Sequence, residues 1–321
     1  MALSDTQIQD GLAAATLRGD GVLLFSDLAE QGLTPAAVGR LVRGGALVPL
    51  RRGAYAPTAS VARPSDRYRL FVRASVMLGD LDRIVSHWSA AAIHGLPLIG
   101  SWPDALHVID PDARGGSSAT LVRSHRGALS EAAVEARDGI RVTTLARTVA
   151  DMVRVLTYPA AVAMVDDALR RGLVHADLLA ALEAAAPRYG RARAVRTIEF
   201  GDPRAANAGE SLSRARIHEL GYVVPDLQVP FTDTRGDHRD VDFFWHSMRK
   251  VGEFDGIHKY TRARYTGGSP PADIVVREKL REDALRPLVD SFDRWVWADA
   301  ISRERFERYL REHRMPRRSG R

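Results

Sequence analysis

Val241-Asp242-Phe243-Phe244-Trp245 and, beyond the turn Ser247-Met248-Arg249, Val251-Gly252-Glu253-Phe254-Asp255 decide how the C-terminal third of this chain is read. Both runs are strand-like and apolar, yet each carries carboxylates. A carboxylate is costly to bury unless it is paired with a cation or binds a metal. Strand side chains alternate, so Asp240, Asp242 and Phe244 are expected on one face, with Val241, Phe243 and Trp245 on the other. Glu253 and Asp255 share a face of the following strand. Reflecting position 242 about the turn lands near 254, which brings Asp242 and Glu253 within reach of one ion. The chemistry suits Mg²⁺, which takes oxygen ligands and usually only one or two protein carboxylates. Asp242, Glu253 and Asp255 are the candidate metal ligands, and Lys259 would orient a water or stabilise an oxyanion. Glu210, at the start of the preceding helix, is a further candidate. The alternative is an internal salt-bridge network in which Lys259 or Arg239 pairs the acids.

Working outward, Gly201-Asp202-Pro203-Arg204 reads as a turn and a boundary. After it the pattern predicts a helix from Glu210 to Leu220 and strands at Leu227–Thr232, Arg239–His246 and Lys250–Asp255. A helix from Glu278 to Leu285, a strand at Trp295-Val296-Trp297 and a helix from Arg303 to Arg311 follow. This gives an αβββαβ restriction-endonuclease-like core over 207–321. Residues 64–203 form a mixed α/β middle region, with helices expected around Arg69–Ala74, Ser86–Ile93, Leu145–Val155, Pro159–Arg171, His175–Ala186 and Ala192–Phe200. Its strands are expected at Ala105–Ile109 and Ile140–Val142. His87, His94, His107 and His125 have no metal-ligand spacing among themselves and read as hydrogen-bonded structural histidines.

Residues 1–60 read as helix, short helix, turn, helix and hairpin, the order of a winged helix-turn-helix. Thr34-Pro35 supplies an N-cap and a first-turn proline. Val38, Leu41 and Val42 form the inner stripe, and Gly44-Gly45 ends the helix. Between Gln31 and Ser65 there is no acidic residue, while Arg40, Arg43, Arg51, Arg52 and Arg63 all fall there. Arg40 and Arg43 lie off the apolar stripe, and Arg51 and Arg52 sit at the hairpin tip, where phosphates of double-stranded DNA would be met. The whole is an α+β multidomain chain.

Composition excludes several classes. The 321 residues contain no Cys, which rules out disulfides, thiolate metal sites and cysteine nucleophiles. No apolar run approaches the length of a membrane span, and no secretory leader is visible, so no membrane partner and a cytoplasmic location are expected. The net charge of +6 is concentrated at the C-terminus, where eight Arg face three Glu from Ile301 onward, so overall basicity alone says little.

Two resemblances follow from these motifs. The pattern Glu210…Asp242…Glu253-Phe254-Asp255…Lys259 on this core resembles the PD-(D/E)xK nuclease superfamily, in particular its Vsr-like, DUF559-type group. That resemblance implies Mg²⁺ held by Asp242 and Glu253 and an endonuclease activity on DNA. Asp255 stands where the family's motif has its Lys, so either Lys259 substitutes for it or Asp255 joins the ligands. The N-terminal order, Arg51-Arg52-Gly53-Ala54-Tyr55 and Ser89-Ala90-Ala91…His94-Gly95-Leu96, is similar to the AbiEi antitoxins of type IV toxin–antitoxin systems. It implies a transcriptional regulator that binds operator DNA and has a cognate, nucleotidyltransferase-like toxin as partner. The expected function is a DNA-binding, AbiEi-like regulator carrying a nuclease-fold domain. The alternative is an active Mg²⁺-dependent endonuclease delivered to DNA by its winged helix.

Overall fold

Thr34 opens the best-defined N-terminal helix for a local reason. Its side-chain oxygen accepts a hydrogen bond from the Ala37 N–H at 3.3 Å, and Pro35 occupies the first turn, where no donor is needed. The computed structural model describes residues 21–79, 83–110, 118–119, 121–127, 129–185, 190–234, 236–256 and 283–318. The chain is a mixed α+β protein with separate three-, six- and four-stranded sheets among the described residues. It divides into two compact units: Met1–Arg154 with Ala176–Arg191, and Val155–His175 with Ala192–Arg321.

The first unit begins with β1 (Leu23–Leu24), α1 (Phe25–Glu30), α2 (Pro35–Arg43), β2 (Leu47–Arg51) and β3 (Ala54–Pro57). The sheet order is β1-β3-β2, so the short first strand closes onto the hairpin. Leu23, Leu28, Leu33, Val38 and Leu47 form its core. The first expected helix lies in residues 1–20, outside the described residues.

A long helix, α3 (Pro64–Leu78), comes next. Leu70 and Ala74 pack with Val22, Ala54 and Ala56 of the N-terminal part, whereas Tyr68, Phe71 and Val72 pack with Val85, Val108 and Val142. At about 100° per residue these two stripes lie roughly 130° apart around the helix. The second stripe faces a six-stranded sheet of order β6-β7-β5-β4-β9-β8. It is built from β4 (Ile84–Val85), β5 (Leu106–Ile109), β6 (Ser118–Ala119), β7 (Val122–His125), β8 (Val134–Arg137) and β9 (Ile140–Thr143). Strand β4 contributes two residues and joins β9 through the single pair Val85↔Val142. Helices α4 (His87–His94) and α5 (Leu145–Met152) complete this part.

In the second unit, α6 (Tyr158–Arg170) packs on α9 (Ala208–Glu219), with α8 (Arg191–Glu199) before α9 in sequence; α7 (His175–Ala184) belongs to the first unit. Arg214 on α9 forms a buried ion pair with Asp166 on α6, at 2.9 Å, and also donates to the Phe200 carbonyl. Its sheet has the order β10 (Asp226–Thr232), β11 (His238–Trp245), β12 (Lys250–Asp255), β13 (Ser291–Val296). The first three strands are antiparallel and β13 runs parallel to β12. Helices α10 (Trp297–Ile301) and α11 (Arg303–Glu312) follow.

Two expectations about this sheet need correction. Phe243 and Trp245 do share a face, with Trp295. Val241, however, packs with Phe244, Val251 and Phe292 rather than with them. Gln228 on the neighbouring strand has φ +50 and drops out of the pairing between Leu227↔Phe243 and Val229↔Val241, which interrupts strict alternation at this point. The late strand starts at Ser291 and ends at Val296, and Trp297 begins a helix. Most of the expected helix Glu278–Leu285 lies outside the described residues.

Gly252 on β12 is fixed by close approach. A Cβ there would lie 2.6 Å from Trp295 and 3.0 Å from Trp245. Gly252→Ala is expected to destabilise the protein by about 1–3 kcal/mol, the usual cost of overpacking a rigid core. Urea unfolding followed by tryptophan fluorescence measures it; an unchanged midpoint would contradict the packing.

Candidate functional site

The arginines singled out at the N-terminus are set by α2 and the hairpin. Ala37 and Val38 are buried, which turns Arg40 and Arg43 outward, and both are exposed. Gly53 takes φ +80 in the hairpin turn, and the Phe25 N–H donates to its carbonyl at 2.8 Å, tying the turn to the start of α1. Arg52 at that turn is exposed and Arg51 is half-buried. Among the described residues none of Arg40, Arg43, Arg51 and Arg52 forms an ion pair. Arg63 differs: both of its donating nitrogens reach Asp66 at 2.8 Å. Its charge is thus answered locally, and this pairing holds the Asp66 carboxyl below the usual carboxylate range. Four cations without an ion pair among the described residues on one small fold suit contact with anions.

The C-terminal carboxylates are placed by the β11–β12 register. Phe243 pairs with Gly252, so one step further along sets position 242 opposite 253, one residue from the expected 254. One Asp242 oxygen accepts the Phe254 backbone N–H at 2.9 Å. Glu253 is buried and accepts from Arg294 at 3.1 Å, its partner position on the parallel strand β13. Glu210 is buried at the start of α9, where its carboxylate accepts from the Ala206 N–H, the Asn207 amide and the Gln228 amide at 2.7, 2.5 and 3.0 Å. Asp255 is half-buried at the end of β12. Lys259 lies outside the described residues. Carboxylate oxygens suit Mg²⁺ by type. As arranged, though, Glu253 faces an arginine and Asp242 braces a backbone amide. Among the described residues no three His, Asp or Glu side chains converge so as to hold a metal. With Glu253 on an arginine and Asp242 on a backbone amide, these acids fit a structural pairing better than a shared ion.

The first unit holds a polar cluster that sequence spacing did not bring out. His87, His107 and His125 stand far apart in sequence. The rings of His87 and His125 stack at 3.6 Å, and His107 Nδ1 lies 2.8 Å from His125 Nε2, so one imidazole donates to the other. Trp88 covers His107 at 4.8 Å. His87 adopts φ +50, an uncommon backbone state for a residue with a side chain, and its Nδ1 lies 3.0 Å from the Ser86 hydroxyl. Burial drives all three toward the neutral form. His107 is lowered to about 3 and His125 to about 4, with Arg123 adding like-charge repulsion to each. His87 falls well below its ordinary value, again through burial first and then the two other imidazoles. Nearby, Arg147 and Asp151 form a buried pair at 3.0 Å, and burial raises the aspartate's pKa against the pull of Arg147. His94 is separate and bonds the Thr143 carbonyl at 2.7 Å.

These imidazoles make stability depend on pH with a definite sign. In the unfolded chain they protonate near pH 6.5, whereas in the folded protein they resist until about pH 4 and about pH 3. The unfolded state therefore binds more protons as pH falls through that window, and stability drops from about pH 6.5 downward. Thermal melting between pH 7 and 4 is expected to show this decline, with a shallower slope in His125→Phe. Equal slopes in the two proteins would contradict the assignment.

Comparisons with known proteins bear on the N-terminal part and on the chain's relatives. Residues 12–58 match the family model described as a transcriptional regulator, AbiEi antitoxin. Two curated proteins of Mycobacterium tuberculosis, uncharacterized protein MT2308 of strain CDC 1551 / Oshkosh and uncharacterized protein Rv2248 of strain ATCC 25618 / H37Rv, are similar to the chain. Each is 29% identical over 248 residues, covering 77% of this chain and 84% of the relative. Among solved structures, the crystal structure of the Rv2827c protein from Mycobacterium tuberculosis covers 66% of this chain and 81% of its own, at 16% identity. Its TM-score is 0.40, too low to carry an argument. No described helix is long and apolar enough to cross a membrane. The segment that resembles an AbiEi regulator is thus the one that carries α1, α2, the hairpin and Arg40, Arg43, Arg51 and Arg52.

Proposed function

We propose that the protein is a DNA-binding transcriptional regulator of the AbiEi antitoxin type, with α1, α2 and the β2–β3 hairpin acting as a winged helix-turn-helix. The observation that carries this reading is the set of arginines with no ion pair among the described residues, Arg40 and Arg43 on α2 with Arg51 and Arg52 at the hairpin, inside the segment matched by the regulator family. Helix α2 would enter the major groove and the hairpin would contact the adjacent backbone. A cognate toxin, nucleotidyltransferase-like in class, is the protein partner this type implies. The full-length chain is expected to bind duplex DNA from upstream of its own gene with steep salt dependence. Arg43→Ala/Arg52→Ala should weaken binding to specific and unrelated sequences alike and reduce the salt slope by roughly 1 per lost phosphate contact. A double variant that binds as tightly as the parent, with the same slope, would remove the winged-helix assignment.

A second reading is favoured by one observation, the strand arrangement of the second unit. A helix, three antiparallel strands and a fourth strand parallel to the third is the order expected of a PD-(D/E)xK nuclease core, and Asp242 and Glu253 come from its second and third strands. The contacts of Arg294 and of the Phe254 amide favour a scaffold over an endonuclease. Plasmid incubated with the protein and Mg²⁺ or Mn²⁺ is therefore expected to stay supercoiled. Nicking that disappears in Asp242→Ala would reverse the order of these two readings.

A further inference from the structure

The hairpin, α3 and the stretch 100–104 border an open pocket of about 530 Å³. This lies within the roughly 300–1,000 Å³ common for small-molecule pockets. Arg51 and Arg67 stand on its wall with Tyr68, Phe71 and Trp102. Tyr68 and Trp102 stack at 5.1 Å with an interplanar angle of 25°, so together they form an aromatic wall. The Tyr68 hydroxyl is committed to Ser89 and the Ala105 carbonyl, which fixes the ring. Trp102 is half-buried, and among the described residues its indole N–H has no hydrogen-bond acceptor.

The charge on this wall is unbalanced. Arg67 makes one long hydrogen bond, 3.5 Å to the Pro49 carbonyl, and no ion pair among the described residues. Arg51 is half-buried, and its Nε is closed off from solvent with no acceptor among the described residues. A guanidinium in that state lacks the compensation that a partly buried cation normally finds. Among the described residues, the one acidic side chain on the wall is Asp104, which is exposed and pairs with neither arginine. Two cations beside a fixed aromatic wall match a flat ring bearing one carboxylate, because stacking selects the ring and the guanidiniums select the charge.

We propose that this cavity is a binding site for a small planar aromatic carboxylate, stacked against Trp102 with its anion between Arg51 and Arg67. Arg51 is also one of the arginines assigned above to DNA. A bound carboxylate engages that guanidinium and weakens its hold on phosphate, so the ligand and DNA oppose one another. The coupling rests on the regulator reading; the site itself does not.

Titration calorimetry of the full-length protein with naphthalene-2-carboxylate and with naphthalene-2-carboxamide tests the site without DNA. The carboxylate is expected to bind one to one, and the uncharged amide at least about tenfold more weakly, as loss of charge-assisted hydrogen bonds requires. Trp102→Ala and Arg67→Gln should each cost roughly tenfold in affinity, with thermal melting checked alongside. Arg67→Met serves as the second variant if Arg67→Gln fails to fold. No saturable binding, equal affinity for carboxylate and amide, or full affinity in Trp102→Ala overturns the proposal. Fluorescence anisotropy with labelled DNA then tests the coupling: saturating carboxylate is expected to weaken DNA binding about tenfold, within the usual range of site–site coupling. Unchanged DNA affinity removes the coupling alone. A protein that binds the carboxylate but no DNA sinks the regulator reading and leaves the pocket standing.

Discussion

Helix α3 (Pro64–Leu78) is the constraint on which the first unit depends, because it is buried along two separate stripes. An ordinary surface helix spends one apolar stripe on a core and leaves the other face to water. Here Leu70 and Ala74 complete the small N-terminal core while Tyr68, Phe71 and Val72 complete the sheet core. A change in either stripe therefore bears on a helix that the other core also needs, since packed interiors do not deform smoothly. The same helix supplies Arg67, Tyr68 and Phe71 to the cavity beside the hairpin. The recess exists where two cores meet on one helix and neither fills the corner.

Buried charge is handled in each unit by pairing. Arg147 with Asp151, Arg214 with Asp166 and Lys250 with Asp293 all join residues that are almost wholly enclosed. Such pairs add little net stability over apolar replacements, but removing one partner leaves a stranded charge. They act as registration marks: Arg214 reaches its aspartate, the Phe200 carbonyl and the Phe200 ring only when α6 and α9 sit in one alignment. The aspartate's raised pKa has burial as its largest cause, with the arginine pulling the other way.

Much of this was legible from residue order alone. Capped and proline-started helices were found where Thr34-Pro35 and similar local chemistry fix them, and the three antiparallel strands after α9 came out nearly to the residue. What failed was non-local. Glu253, an acid among Val, Phe and Trp, does meet a cation, but it is Arg294, brought in by a parallel strand about forty residues later. No spacing rule announces a parallel pairing across a crossover. The histidine cluster was hidden for the same reason, since His107 and His125 meet only through the parallel pairing of β5 with β7. Strands of two residues, such as β4, carry too little periodicity to be seen.

That short strand also shapes how the six-stranded sheet holds together. Three strands lie to one side of β4 and two to the other, yet the join to β9 is the single pair Val85↔Val142. Both valines are fully enclosed, so apolar packing, more than a hydrogen-bonded ladder, keeps the two leaves continuous. The sheet thus has a seam. Opening at that line would separate two locally intact leaves at little cost in backbone bonds, making it the natural boundary between cooperative units of partial unfolding.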